Sequence, residues 1–99
     1  LRSLRAMIRS KIREITAALK ASEEKILLYQ SGLLPKTRQA LSSLEAKYRA
    51  GEGEFLMLLD TRRQLQNFEI EYVRKIAERE TLLAELERAI GVPLEEMMT

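Results

Sequence analysis

The triplet Gly51-Glu52-Gly53 constrains this chain more than any other feature. It places two of only four glycines at the middle of 99 residues whose apolar side chains otherwise recur with helical spacing. Glycine tolerates the left-handed backbone that closes helices, so Gly51 is expected to cap a first helix. Gly53 is an acceptable N-cap for a second helix, with Glu52 and Glu54 at an end where negative charge is favoured. The fold class this predicts is all-α: one long antiparallel two-helix coiled-coil hairpin. Helix 1 covers about residues 2 to 50, the tip 51 to 53, helix 2 about 54 to 90 and a tail 91 to 99.

Two apolar stripes support that division. In the first half, Leu4, Ile8, Ile12, Ile15, Leu19, Ile26, Leu33, Leu34, Leu41, Leu44 and Tyr48 recur at helical intervals, with Glu23 and Gln30 as interruptions. Steps of eleven align Leu4, Ile15, Ile26, Thr37 and Tyr48, which predicts a nearly straight or slightly right-handed coil. Pro35 is expected to kink the helix, or to restart it as the first residue of a new segment. In the second half, Phe55, Leu58, Leu65, Tyr72, Ile76, Leu83, Leu86 and Ile90 alternate in threes and fours, the heptad rhythm of a left-handed coil. Arg62, Glu69 and Arg79 fall on that stripe and need partners or water. Gly91-Val92-Pro93 is expected to end the helix. Phe68, Ile70 and Val73 lie beside the stripe, so the apolar band is wider than one partner helix needs, and the isolated chain is expected to self-associate.

Charge divides at the same place. Residues 1 to 51 hold eleven Lys/Arg against four Glu, whereas residues 52 to 99 hold six against eleven Asp/Glu, so the halves attract when folded back on one another. The chain has no cysteine and no histidine, which removes thiol nucleophiles, thiolate metal sites and the side chain best suited to proton transfer near neutral pH. No phosphate-cradling glycine loop and no nucleophile–base pairing is present, so no enzyme, no cofactor and no metal site is expected. Acidic pairs such as Glu85 and Glu87 are two apart and fall on different helix faces. With Leu1 in place of methionine and no signal-peptide pattern, the sequence is expected to be a segment of a longer protein.

The stretch Tyr48-Arg49-Ala50-Gly51-Glu52-Gly53-Glu54-Phe55-Leu56-Met57-Leu58-Leu59-Asp60 resembles the hairpin tip of TolC-type outer-membrane efflux proteins: a tyrosine, a glycine three residues on, a short polar run, aliphatics and then Leu-Asp. Leu82-Leu83-Ala84-Glu85-Leu86-Glu87-Arg88-Ala89-Ile90-Gly91 is similar to the end of their following helix, and residues 29 to 34 with Pro35 are similar to the branch that exports heavy-metal ions. The resemblance covers residues 26 to 91. It implies a trimer whose hairpins wall a periplasmic tunnel beneath an outer-membrane β-barrel, with tips that meet a periplasmic adaptor and, through it, an inner-membrane pump. It assigns Ala50, Gly51, Glu52, Gly53 and Phe55 to adaptor docking, and Asp60 and Tyr48 to the pore constriction and latch. The family's barrel strands and second hairpin are not in this sequence. Gly53 stands where well-known members often carry a polar or basic residue, and Met57 where they carry a second acid.

On the residues alone, plainer readings stand beside these. Gly51 and Gly53 make either a turn or a turn with a docking site, Tyr48 either packs or latches, and Asp60 is either solvated or lumen-lining. Two other classes fit the pattern. One is the helical hairpin of a periplasmic adaptor. The other is a coiled-coil module whose basic first helix (Arg2, Arg5, Arg9, Lys11, Arg13) binds nucleic acid or anionic lipid. The leading reading takes no nucleic acid as partner, and a membrane only through the missing barrel.

Overall fold

The chain is an all-α helical hairpin, seen in a computed structural model that describes residues 2 to 98, with side chains through Gly91. Helix α1 spans Arg2–Leu28, a π-helical turn spans Tyr29–Leu33, α2 spans Leu34–Arg49, and after the tip α3 spans Phe55–Met98. No strand occurs among the described residues, and none of their helices is long and apolar enough to cross a membrane. Two compact units divide the chain. One comprises the residues up to Glu24 with those from Ile76 on; the other is Lys25–Lys75 and carries the tip.

The end unit is held by α1 against the C-terminal half of α3. Ile15 is its buried apolar anchor and Ser22 is buried as well, with Ile8, Ile12 and Leu19 half-buried on the same face of α1. From α3, Ile76, Leu82, Leu83 and Leu86 are half-buried. The hydroxyl of Ser22 and Nε of Arg79 are both buried without a hydrogen-bond partner among the described residues. Each therefore carries a desolvation cost that no bond returns.

The tip-bearing unit is anchored by Ile26, Leu34 and Leu58, the most buried apolar residues there. Tyr29 and Phe68 pack edge to face, with ring centroids 6.0 Å apart and planes at 78°, an arrangement aromatic quadrupoles favour. Phe68, placed beside the stripe by sequence spacing, is thus half-buried on the inner face, whereas Ile70 and Val73 remain exposed. Two of the stripe charges meet partners across this unit: Arg62 lies 3.6 Å from Glu45, and Glu69 lies 3.8 Å from Arg38. Arg79, in the end unit, meets its neighbour Glu80 at 3.4 Å.

The inward residues of the first half do not follow steps of eleven. Ile8, Ile12, Ile15, Leu19, Ser22, Ile26, Tyr29 and Leu33 alternate in fours and threes, and a second series, Leu34, Thr37, Leu41 and Leu44, begins one residue later. Each series is heptad-like. The π turn absorbs the extra residue between them: Leu34 N–H donates to Tyr29 O, five residues back, and the Ser31 hydroxyl donates to Leu27 O at 2.6 Å. Leu4 and Tyr48, the outer members of the eleven-residue line, are exposed, and Ser22 and Tyr29 take the inward places while Glu23 and Gln30 face solvent. Pro35 sits at the second position of α2, directly after the π turn, and the helical backbone at Leu33 and Leu34 carries one into the other without a break. The expected kink is therefore a π turn ahead of the proline.

Two further expectations are corrected at the ends of α3. Phe55 and Ile90 are exposed, because Phe55 opens α3 beyond the last residue of α2 and the inward position near the other end belongs to Ala89. The helix also continues past Pro93 to Met98 where a tail from 91 was expected. Gly91 does not adopt the left-handed conformation that would cap it; Gly51 is the only described glycine with positive φ. The side chains of residues 92 to 99 lie outside the described set.

Candidate interaction site at the hairpin tip

The tip is built by two glycines with different physical roles. Gly51 has φ of 78°, and a Cβ added there would meet nothing within 4 Å. Its requirement is conformational, since an L side chain in the left-handed region costs roughly 1–2 kcal/mol. Around it the chain makes a double closure. Gly51 N–H donates to Tyr48 O at 3.0 Å and Glu52 N–H donates to Lys47 O at 2.9 Å. This pair of bonds satisfies the Lys47 and Tyr48 carbonyls in the last turn of α2, with Ala50 as the cap residue donating to Ala46 O.

Gly53 answers to space instead. A Cβ there would lie 3.0 Å from Tyr48 N, 3.2 Å from Tyr48 Cα and 3.3 Å from the Lys47 carbonyl carbon, all backbone atoms. A side chain there would require the backbone at the end of α2 to give by a few tenths of an ångström, and glycine lets the returning chain pass this close without that shift. The residue that caps α3 is Glu54, not Gly53: its carbonyl accepts Leu58 N–H at 3.3 Å. Glu52 and Glu54 are exposed.

Four apolar side chains crowd this end without being covered. Tyr48 is 45% exposed, Phe55 54%, Leu56 72% and Met57 54%. Tyr48 and Phe55 bridge the turn, with ring centroids 5.8 Å apart and planes at 49°. Just behind them, Leu58 is buried, and Glu45 draws together Arg49 at 3.7 Å and Arg62 at 3.6 Å. The structure thus joins Tyr48, Ala50, Gly51, Glu52, Gly53 and Phe55 into one local assembly. Asp60 stands apart from it, exposed on α3 with no hydrogen bond or ion pair to Tyr48 or any other described residue.

Sequence reasoning missed Glu45 and the exposure of Leu56. The spacing of Glu45 and Arg49, four apart, was a usable signal for the first. Leu56 is adjacent to the inward positions without being one of them, which the heptad series through Leu58, Thr61 and Leu65 makes clear once its phase is known. Among the described residues no three His, Cys, Asp or Glu gather closely enough to hold a metal ion. No protein-family model, curated protein or solved structure matches the chain.

Proposed function

We propose that this chain is one helical hairpin from the wall of a trimeric, TolC-type outer-membrane efflux duct, in the periplasm, with its tip docking a periplasmic adaptor of a tripartite pump. The observation that carries this reading is the exposed apolar tip. Tyr48, Phe55, Leu56 and Met57 ring a turn that the chain closes with its own backbone bonds. A tip that is already satisfied internally, yet leaves four large apolar groups in water, is suited to receiving another helical end. The tip resembles that of TolC-type proteins in sequence, and the residues that carry the resemblance, Tyr48, Gly51 and Asp60, are all accessible or backbone-determined here. In this reading the chain performs no catalysis. Asp60 supplies one carboxylate per hairpin to a constriction near the tip, where threefold symmetry makes it a ring that favours cations. The second hairpin and the β-barrel belong to other parts of the parent protein.

The test uses the full-length parent in cells. Leu56→Glu and Met57→Glu place charge on the docking face without touching the turn, so export is lost while the amount of assembled trimer in the outer membrane is unchanged. Export at the parental level in both variants contradicts tip docking. Gly53 is unsuited to this experiment, because any side chain there disturbs the hairpin itself.

A further inference from the structure

An oxidant that attacks this chain finds few side chains to act on. The sequence has no cysteine, tryptophan or histidine, so its four methionine thioethers are the groups that a two-electron oxygen donor oxidises most readily. Two of the four, Met97 and Met98, have side chains outside the described set. Met7, 68% exposed, lies on α1 in the end unit. Met57, 54% exposed, stands next to Leu56 among the four uncovered apolar side chains of the tip. Its backbone is held independently of its sulfur. The Met57 carbonyl accepts the Thr61 hydroxyl at 2.9 Å, and the next residue, Leu58, is buried and donates its N–H to Glu54 O at 3.3 Å. A change at the sulfur therefore alters what the tip presents without altering how the tip is built.

We propose that Met57 is a reversible oxidation site that switches docking at the tip. As a thioether it extends the apolar face; as a sulfoxide it puts on that face a strong hydrogen-bond acceptor, which a docked partner helix has to desolvate. Tyr48, Phe55 and Leu56 give the face its area but undergo no such reversible conversion. The inference rests on the docking reading of the tip. The oxidant is a peroxide. The sulfur lone pair attacks one peroxide oxygen, the O–O bond breaks as the S–O bond forms, and the departing hydroxide takes the proton from the transferred oxygen and leaves as water. Sulfur loses two electrons and the peroxide gains them. A dithiol reverses the step through a sulfoxide reductase: the thioether is restored, the dithiol becomes a disulfide and the oxygen leaves as water. Burying the polar group without a partner weakens docking about tenfold or more.

Two measurements test this, and the first is free of the docking reading. In the 99-residue chain treated with dilute hydrogen peroxide, peptide mapping by mass spectrometry shows Met57 oxidised at a rate within about threefold of Met7 and of free methionine. Helicity by circular dichroism stays unchanged. Oxidation of Met57 more than about tenfold slower than free methionine, or helicity lost along with it, overturns the proposal. The second uses the full-length parent in cells, with a photoreactive residue in place of Leu56, and compares the yield of adaptor cross-link before and after a hydrogen peroxide pulse within each variant. With Met57 in place the yield falls about tenfold and recovers once the peroxide is removed and the sulfoxide is reduced. In Met57→Leu, whatever its starting yield, the pulse changes nothing. Met57→Gln, a permanently polar side chain of similar length, starts about tenfold lower with the same amount of trimer in the outer membrane. A yield that the pulse leaves unchanged with Met57 in place, or lowers equally in Met57→Leu, overturns the switch and leaves docking standing. No adaptor cross-link before the pulse overturns the docking reading, and the switch with it.

Discussion

Gly53 lies against the backbone of Tyr48, so close that a Cβ on the glycine would come within 3.0 Å of the tyrosine nitrogen. The turn of this hairpin is therefore specified twice, by conformation at Gly51 and by contact at Gly53. The two requirements separate on substitution. Gly51→Ala keeps open space around the new methyl and costs about 1 kcal/mol of backbone strain. Gly53→Ala presses a methyl against the backbone of Lys47 and Tyr48, which must give by a few tenths of an ångström, and costs about 2 kcal/mol. Denaturant unfolding at fixed chain concentration, with Gly53→Ala the more destabilised, is the expected result; the reverse order contradicts the assignment.

The π turn makes a second, less intuitive prediction. Deleting Gln30 removes the extra residue and aligns Ile26 and Tyr29 with Leu34, Thr37, Leu41 and Leu44 as one continuous heptad series. Alone, the deletion places Pro35 inside a regular α-helix, where the ring clash costs about 3 kcal/mol, so the variant melts lower. Adding Pro35→Ala to the deletion removes the clash, and the double variant melts at or above the parent. A double variant less stable than the single deletion refutes the register account. Gly32 does not make this turn, since a Cβ there would meet only Leu28 Cδ1, at an ordinary 4.0 Å.

How far the sequence revealed this follows from such details. The hairpin, its tip and the second helix's heptads were readable because glycine and apolar spacing report local geometry. The phase of the first helix was not, because one inserted residue converts two heptad series into an apparent line of elevens through Ile15, Ile26 and Thr37. The same insertion hid Ser22 and Tyr29 behind Glu23 and Gln30. Phe68 was misplaced because its partner, Tyr29, was not known to point inward. Pro93 was read as a stop, although a proline in a helix does not oblige the chain to leave it.

Ser22 supplies a third prediction. Its hydroxyl is buried and unpartnered, so it contributes desolvation cost without a bond. Ser22→Ala removes that cost, improves helix propensity and stabilises the chain by up to about 1 kcal/mol in thermal melts. A loss of stability in this variant would show that the hydroxyl has a partner in solution.

Asp60 is accessible and makes no hydrogen bond or ion pair among the described residues, so its removal leaves the hairpin's stability unchanged. In the duct reading its effect is on ions. Single-channel recordings of the full-length parent in low salt are expected to show weaker cation preference and weaker block by a trivalent cation in Asp60→Asn than in the parent. Identical preference and block identify Asp60 as an ordinary solvated residue.

The central claim, that the tip is a docking end, is tested most directly by position-specific photo-crosslinking in cells. A photoreactive residue replaces Leu56, the most exposed of the tip's apolar side chains, in the full-length parent, with the same residue at exposed Arg88 as control. The account predicts a cross-link from position 56 to the helical hairpin of a periplasmic adaptor and none to it from position 88. No adaptor cross-link from position 56, or equal yields from the two positions, contradicts it.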